Sequence, residues 1–307
     1  METVVNFLPQ KIVEQINNLP PSQRIEMEEI RVRINRPIEV VMRGNSQFLS
    51  YTVQPEDALH LLNKISNYSI YALEEELQRG YITVAGGHRI GLAGRVILEN
   101  GAVKAIRDIT SFNIRIARER VGIAEPIITD IFSGEWLNTM IIGPPQTGKT
   151  TLLRDIARII SSGDRQHQLP SAKVGIVDER SEIAGCANGV PQLTFGERID
   201  VLDACPKAEG MMMMIRSMSP NVLIVDEIGR REDAEAIMEA AHAGIKLIMT
   251  IHGNSLEDIH KRPSLKEIVS QAIFRRFIVL SRKKGPGTIV QIIDGFGREL
   301  SKKVSVT

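Results

Sequence analysis

Residues 141–151 read Ile141-Ile142-Gly143-Pro144-Pro145-Gln146-Thr147-Gly148-Lys149-Thr150-Thr151, and this stretch decides the fold. An apolar strand runs into GxxxxGKT and straight on into a helical pattern, the context in which this motif cradles phosphate. Gly143 and Gly148 let successive backbone N–H groups turn inward around phosphate oxygens, with Pro144, Pro145, Gln146 and Thr147 at the four variable positions between them. Lys149 reaches the β- and γ-phosphates, and Thr150 offers its hydroxyl to Mg²⁺. Thr151 carries the loop into the helix. The competing reading is a Gly/Pro turn beside a lysine with a buried stem.

Downstream, Asn221-Val-Leu-Ile-Val-Asp226-Glu227 is an aliphatic run ending in two acids, 77 residues after Lys149. The run belongs inside a sheet, and its acids emerge at the C-terminal end, where parallel α/β sheets bind ligands. Asp226 is expected in the Mg²⁺ shell and Glu227 as the group that polarises an attacking water. The bland alternative is a pair of solvated strand-end acids. The strand Lys246-Leu-Ile-Met-Thr250-Ile-His252-Gly253 also ends in polar residues. If it lies between the other two strands, Thr250 faces the γ-phosphate as a sensor and His252 relays the signal to a neighbouring subunit. Strand-end hydrogen bonding and a satisfied structural histidine are the competing readings. Gly175-Ile-Val-Asp178-Glu179-Arg180-Ser181-Glu182 closes another strand in acids. Asp178, Glu179 and Glu182 are accessory acidic candidates, for the metal's water shell or for placing an arginine; a solvated turn competes.

Composition bounds the rest. The chain has 307 residues, 43% of them apolar, enough for a sizeable core in two domains. With 38 Lys+Arg against 37 Asp+Glu, net charge gives no warrant for nucleic acid as the main partner. Cys186 and Cys205 suit a reducing compartment, and without a CxxC partner or His/Cys cluster no structural metal is expected. The longest apolar stretches are strand-sized, so no membrane span or signal peptide is expected and the default is a cytoplasmic protein.

Residues 1–125 carry no nucleotide motif. An amphipathic helix over 9–19, strands at 28–34 and 38–42, a helix over 53–67 and another over 70–78 precede a Gly-rich β region with a hairpin turn at Gly86-Gly87. This predicts a small α+β domain, followed by a linker at 126–135 and an α/β domain over 136–307. Strands are expected at 139–142, 173–177, 222–226, 246–251, 276–280 and 288–293. Helices are expected at 149–161, within 197–217, at 232–243 and at 264–271. Alternation after a P-loop means a largely parallel, three-layer α/β/α sheet. The methionines Met211–Met214 and Met218 read as core or subunit-interface packing, or as a flexible ligand-binding stripe.

Phosphoryl transfer develops charge that an arginine can stabilise, often from another subunit. Arg89, Arg95, Arg107, Arg115 and Arg118 are candidates in the first domain, with Arg230 and Arg231 beside the acidic pair; solvated turn arginines are the common alternative.

Taken together, Gly143-Pro-Pro-Gln-Thr-Gly-Lys-Thr-Thr-Leu-Leu-Arg-Asp, Val177-Asp-Glu-Arg-Ser-Glu-Ile-Ala-Gly, Ser219-Pro-Asn-Val-Leu-Ile-Val-Asp-Glu-Ile-Gly-Arg and Thr250-Ile-His-Gly resemble the stage III sporulation protein AA family. More distantly, the C-terminal part and Ser111-Phe-Asn-Ile-Arg-Ile-Ala-Arg resemble the secretion-superfamily ATPases of type II and type IV systems. The resemblance implies a P-loop NTPase with a RecA-like C-terminal domain, an N-terminal regulatory domain and a hexameric ring binding ATP and Mg²⁺ at subunit boundaries. It puts Lys149 and Thr150 in P-loop roles, Glu179 in the acidic box, Glu227 at the catalytic glutamate and His252 in the histidine box. It matches Arg89 to Arg118 to the region supplying trans contacts. Asp226 stands where secretion motors have Gly, and the four-cysteine zinc motif of some type II motors is absent. The setting implied is the mother-cell cytoplasm of a spore-forming bacterium, with membrane-embedded sporulation channel proteins as partners. The leading expectation is a ring-forming ATPase energising such a channel. The rivals are a nucleotide-dependent scaffold with little turnover and a nucleic-acid motor using Arg275, Arg276 and the 282–284 Arg-Lys-Lys run.

Overall fold

The computed structural model of the chain describes residues 2–66, 74–262, 268, 271–283 and 285–305. Apolar side chains gather into separate cores in two units: Met1–Arg118 with Gly185–Gln192, and Glu119–Ala184 with Leu193–Thr307.

In the first unit, α1 (Glu2–Val5), α2 (Gln10–Asn17) and α3 (Pro21–Glu26) lead into β1 (Met27–Arg33), β2 (Pro37–Met42) and β3 (Asn45–Thr52). The helices α4 (Pro55–Ile65) and α5 (Glu74–Arg79) precede β4 (Tyr81–Val84), β5 (His88–Glu99) and β6 (Ala102–Arg115). The strands form one antiparallel sheet in the order β3-β2-β1-β6-β5-β4. Period-2 alternation puts Ile30, Val32, Ile38, Val40, Ile90, Phe112 and Ile114 into its core, against Ile12 and Ile16 of α2 and Leu61 of α4. α4 starts where Pro55 sits in its first turn and Asp57 accepts from Gln54 N at 2.8 Å. The β4–β5 turn falls at the expected Gly86-Gly87, both at positive φ, and Gly86 N donates to Gln192 Oε1 at 3.2 Å. β3 was not expected: its side chains are mostly exposed, so its apolar signal is weak. Part of the helix expected over 70–78, residues 70–73, lies outside the described residues.

The second unit opens with a 3₁₀ helix, Glu125–Ile131, and alternates β7 (Thr139–Gly143), α6 (Lys149–Ser162), β8 (Val174–Asp178), β9 (Ile199–Asp203), α7 (Lys207–Ser217), β10 (Val222–Ile228), α8 (Arg231–His242), β11 (Lys246–His252) and α9 (Leu256–His260). Then β12 (Arg276–Ser281), β13 (Thr288–Asp294) and β14 (Glu299–Ser305) follow. The eight strands order as β14-β13-β12-β7-β11-β10-β8-β9, parallel from β12 through β9 and antiparallel at β13 and β14. Two faces follow from strand alternation. Ile141, Ile176, Val222, Ile224, Ile248 and Ile278 meet α6 and the 3₁₀ helix; Met140, Ile142, Val177, Leu223, Val225, Met249 and Ile251 meet α7, α8 and α9. Met211 and Met214 of α7 fill the second face, the core reading of the methionine run, while Met213 is exposed. Most of the helix expected at 264–271 lies outside the described residues.

The division between units comes at 118/119, ahead of the expected linker at 126–135. The physical reason is burial: Ile127, Ile128 and Ile131 have no exposed surface and belong to the core under α6. Asp155 of α6 reinforces this by accepting Ala124 N at 2.8 Å and Gly122 N at 3.2 Å. Replacing Ile128 by Ala is therefore expected to cost about 2–5 kcal/mol. The emission of Trp136, the chain's one tryptophan and part of the same core, reads this as an earlier urea midpoint.

Candidate functional site

The P-loop leaves β7 at the C-terminal edge of the parallel sheet and wraps into α6. Gly143 has no room for a side chain, since a Cβ there would lie 2.6 Å from Thr147 Oγ1. Gly148 takes φ 86, the left-handed region open to glycine. Thr147 Oγ1 donates to Pro144 O at 2.8 Å, closing the loop on itself, and Lys149 Nζ donates to the same carbonyl at 3.1 Å. Burial holds the Lys149 ammonium below its ordinary range, opposed by the negative charges of Asp226 and Glu227. The β12–β13 hairpin rests on this loop: Gly287 N donates to Thr147 O at 2.8 Å and Arg282 to Gln146 Oε1 at 3.0 Å. Arg282, a groove residue only in the rival reading of a nucleic-acid motor, is thus tied to the P-loop.

β11 lies between β7 and β10, as the sensor expectation for Thr250 required. Thr250, with no exposed surface, donates to Asp226 Oδ1 and accepts the Glu227 N–H at 2.8 Å. Thr150 Oγ1 donates to Asp226 Oδ2 at 2.6 Å. Hard oxygens from the first turn of α6 and the end of β10 thus converge, a donor pair suited to Mg²⁺. His252 Nε2 lies 2.9 Å from Glu227 Oε1; a carboxylate only accepts, so that nitrogen carries the proton.

Asp226 and Glu227 are neighbours in sequence, and on a regular strand they would face opposite sides of the sheet. A bulge prevents this. Val225 pairs with Met249 and Ile228 with Ile251, so β10 spends one residue more than β11 over the same length. Glu227 is the extra residue, at φ 51, in the left-handed region that costs a non-glycine residue energy. The Asp226 carboxylate and the Glu227 N–H consequently both reach Thr250, and the Glu227 carboxylate reaches His252, on the α6 face of β11, while Ile228 returns to the other core.

The acidic segment after β8 is organised by Asp178. Its Oδ1 accepts Glu182 N and its Oδ2 accepts Ile183 N and Ala184 N, each at 2.9 Å. Asp178 is buried, and burial pushes its carboxyl up to about 6 against the lowering effect of those N–H donors. Arg154 of α6 donates to the carbonyls of Glu182 and Ile183, both at 2.6 Å, and Ser181 Oγ donates to Asp203 Oδ1 at 2.7 Å. Glu179 pairs with Lys207 at the start of α7. Arg180 Nη1 donates to Glu227 Oε2 at 3.1 Å. Neither Lys207 nor Arg180 stands among the residues expected from the sequence, because each is brought to the acids by strand order and not by a motif. The usable signal was the position of Arg180, two residues beyond a strand end beside the acidic pair.

The five first-domain arginines all lie in the first unit. Arg89 stacks 3.5 Å from the centre of the Tyr81 ring, Arg95 pairs with Asp108 at 2.8 Å, and Arg115 lies 3.5 Å from Glu29. Arg118 donates to the carbonyls of Ile25 and Met27 at 2.6 and 2.7 Å, and Arg107 lies on the exposed part of β6. Among the described residues no helix is long and apolar enough to cross a membrane.

The raised Asp178 carboxyl fixes a pH dependence. Between about pH 4 and pH 6 the unfolded chain has released this proton while the folded chain keeps it. Its contribution to stability is therefore whole below pH 4 and lost as pH rises through 6. The unfolding free energy of the wild type minus that of Asp178→Asn is expected to fall across this window and level off above it, measured by urea titration at stepped pH.

The family described as sporulation stage III, protein AA, matches residues 2–300. The stage III sporulation protein AA of Bacillus subtilis (strain 168) is 58% identical over 306 residues, covering 100% of this chain and 99% of that protein. Among solved structures, the Legionella pneumophila ATPase DotB superposes with a TM-score of 0.59 at 15% identity, covering 89% of this chain and 76% of its own. The pilus retraction motor PilT, solved with bound ADP, gives 0.58 at 17% identity, covering 88% and 76%. At these identities the structural likeness concerns the fold, a mixed α/β architecture like the RecA-like domains of secretion ATPases. The match across nearly the full length identifies the chain as a member of the stage III sporulation protein AA family.

Proposed function

We propose that the chain is a Mg²⁺-dependent ATPase that hydrolyses ATP to ADP and phosphate. The observation that carries this reading is the convergence of Thr150, Asp226, Thr250, Glu227 and His252 at the mouth of the P-loop. The P-loop amides and Lys149 bind the phosphates. Thr150 and Asp226 would hold Mg²⁺, which when bound offsets charge on the phosphate oxygens. Glu227 orients the attacking water and takes its proton. Thr250 links the two acids, since its hydroxyl donates to the Asp226 carboxylate and accepts the Glu227 N–H. Change at one acid is thereby felt at the other, the property a phosphate sensor needs.

The family kinship and the secretion-motor fold support a wider reading. The chain works as a homohexameric ring, with the first unit as its regulatory or assembly module. It energises or assembles a membrane-embedded sporulation channel from the mother-cell cytoplasm, and one of Arg89, Arg95, Arg107, Arg115 or Arg118 completes a neighbour's site.

Two variants test the chemistry. Lys149→Ala is expected to lose ATP binding as well as hydrolysis. Glu227→Gln is expected to bind ATP like the wild type while kcat falls by about 10²–10⁴. Retention of most of the rate in Glu227→Gln, measured by phosphate release, refutes its assigned role. The mass of Glu227→Gln with ATP and Mg²⁺, by light scattering, tests the ring: a hexamer supports it, and a monomer at micromolar concentration speaks against self-assembly without a partner.

A further inference from the structure

The Glu227 carboxylate is gripped at both ends. His252 Nε2 bonds Oε1 at 2.9 Å, and Arg180 Nη1 bonds Oε2 at 3.1 Å. We propose that Arg180 is a positioning residue for Glu227, supplied within the same domain, that holds the carboxylate in the orientation water activation needs. This inference rests on the ATPase reading above.

Three observations carry it. First, Arg180 stands on a fixed base although 59% of its side chain is exposed. The residue before it, Glu179, is tied to Lys207 at the start of α7. The residue after it, Ser181, takes φ 53 and bonds Asp203. The turn is closed by three N–H donors on buried Asp178 and clamped by Arg154 on the carbonyls of Glu182 and Ile183. A polar network of this kind fixes where the Arg180 side chain starts. Second, the contact holds without blocking. An ionised carboxylate has about four lone-pair positions, and Arg180 and His252 take one each, leaving acceptor capacity on both oxygens for water. Third, Glu227 needs holding. It is the extra residue of a bulge at φ 51, outside the regular strand geometry that would orient its side chain. A glutamate has three rotatable side-chain bonds, and anchoring both oxygens selects one arrangement among the many they allow.

The inference separates Arg180 from an ordinary surface ion pair. Exposed pairs of that kind add little to stability, so replacing Arg180 should leave the melting temperature unchanged while touching the reaction. The loss should fall on kcat rather than KM, because the Arg180–Glu227 bond acts on the acid that activates water.

The test is steady-state ATP hydrolysis by the full chain carrying Arg180→Ala, Arg180→Lys, Glu227→Gln, and Glu227→Gln with Arg180→Ala. Arg180→Ala is expected to lower kcat by about tenfold or more with KM for ATP within about threefold of wild type. Arg180→Lys, which keeps a charge but not the planar donor edge, should recover part of the loss, as should millimolar guanidinium added to Arg180→Ala. In the Glu227→Gln background the Arg180→Ala change should cost less than about twofold, because the group it positions is already disabled. A kcat for Arg180→Ala equal to or above wild type overturns the inference, as does a full loss repeated on top of Glu227→Gln. A Glu227→Gln protein with undiminished rate would instead remove the role assigned to Glu227, and a wild type that hydrolyses no ATP would bring down the ATPase reading itself; both results are distinguishable from failure at Arg180 alone.

Discussion

One extra residue in β10 governs the site. Strand alternation places Val222, Ile224 and Asp226 toward α6, and Leu223 and Val225 toward α7 and α8. Continued without interruption, it would send Glu227 into the second core and Ile228 out toward the P-loop. Both results would be costly, a buried carboxylate on one side and an exposed isoleucine on the other. The bulge between Val225 and Ile228 resolves both at once, at the expense of a left-handed backbone at Glu227. Local strain of this kind persists where the surroundings over-determine it, and here the Glu227 N–H is fixed by Thr250 and its side chain by His252 and Arg180.

The neighbouring elements are arranged around that point. Thr250 is buried with a hydroxyl that donates once and accepts once, so it satisfies Asp226 and Glu227 together. Asp178 sits at the end of β8, beside β10, and its carboxylate closes the turn that carries Glu179, Arg180 and Glu182. Of the accessory acids, Asp178 thus serves the backbone, while Glu179 faces a cation from α7. On the other flank, backbone N–H and side-chain donors of the β12–β13 hairpin fix the P-loop from outside. The four segments that matter come from positions 143–150, 178–184, 226–227 and 250–252. Parallel strand order is what brings them to one edge.

The two units have different physical characters. The first is an antiparallel sheet with a single core, and it takes in residues 185–192 from the middle of the second unit's sequence. The second is a three-layer sheet whose opening segment buries Ala124, Ile127, Ile128 and Ile131, the last three within the stretch expected as a linker at 126–135. The family match runs through both units, so kinship to the Bacillus subtilis protein covers their combination and not the P-loop unit alone.

The sequence by itself determined the P-loop, the parallel α/β character of the second unit, and most of the residues that meet at the site. These signals are local: glycines where a chain must turn around an anion, aliphatic runs where strands are buried on both faces, polar residues where those runs end. Thr150, Asp226, Glu227, Thr250 and His252 were all legible for that reason. β9, half-buried along its whole length, lies in 197–217, where helix was expected only in part, and its apolar signal is too weak to mark a strand. Only the tertiary structure decided that Glu227 shares a face with Asp226, that Arg180 reaches it, that Asp178 holds a turn, and that Arg282 bonds the P-loop. Those depend on register and strand order, which arise from pairings between segments tens of residues apart and leave no trace in the spacing of any one of them.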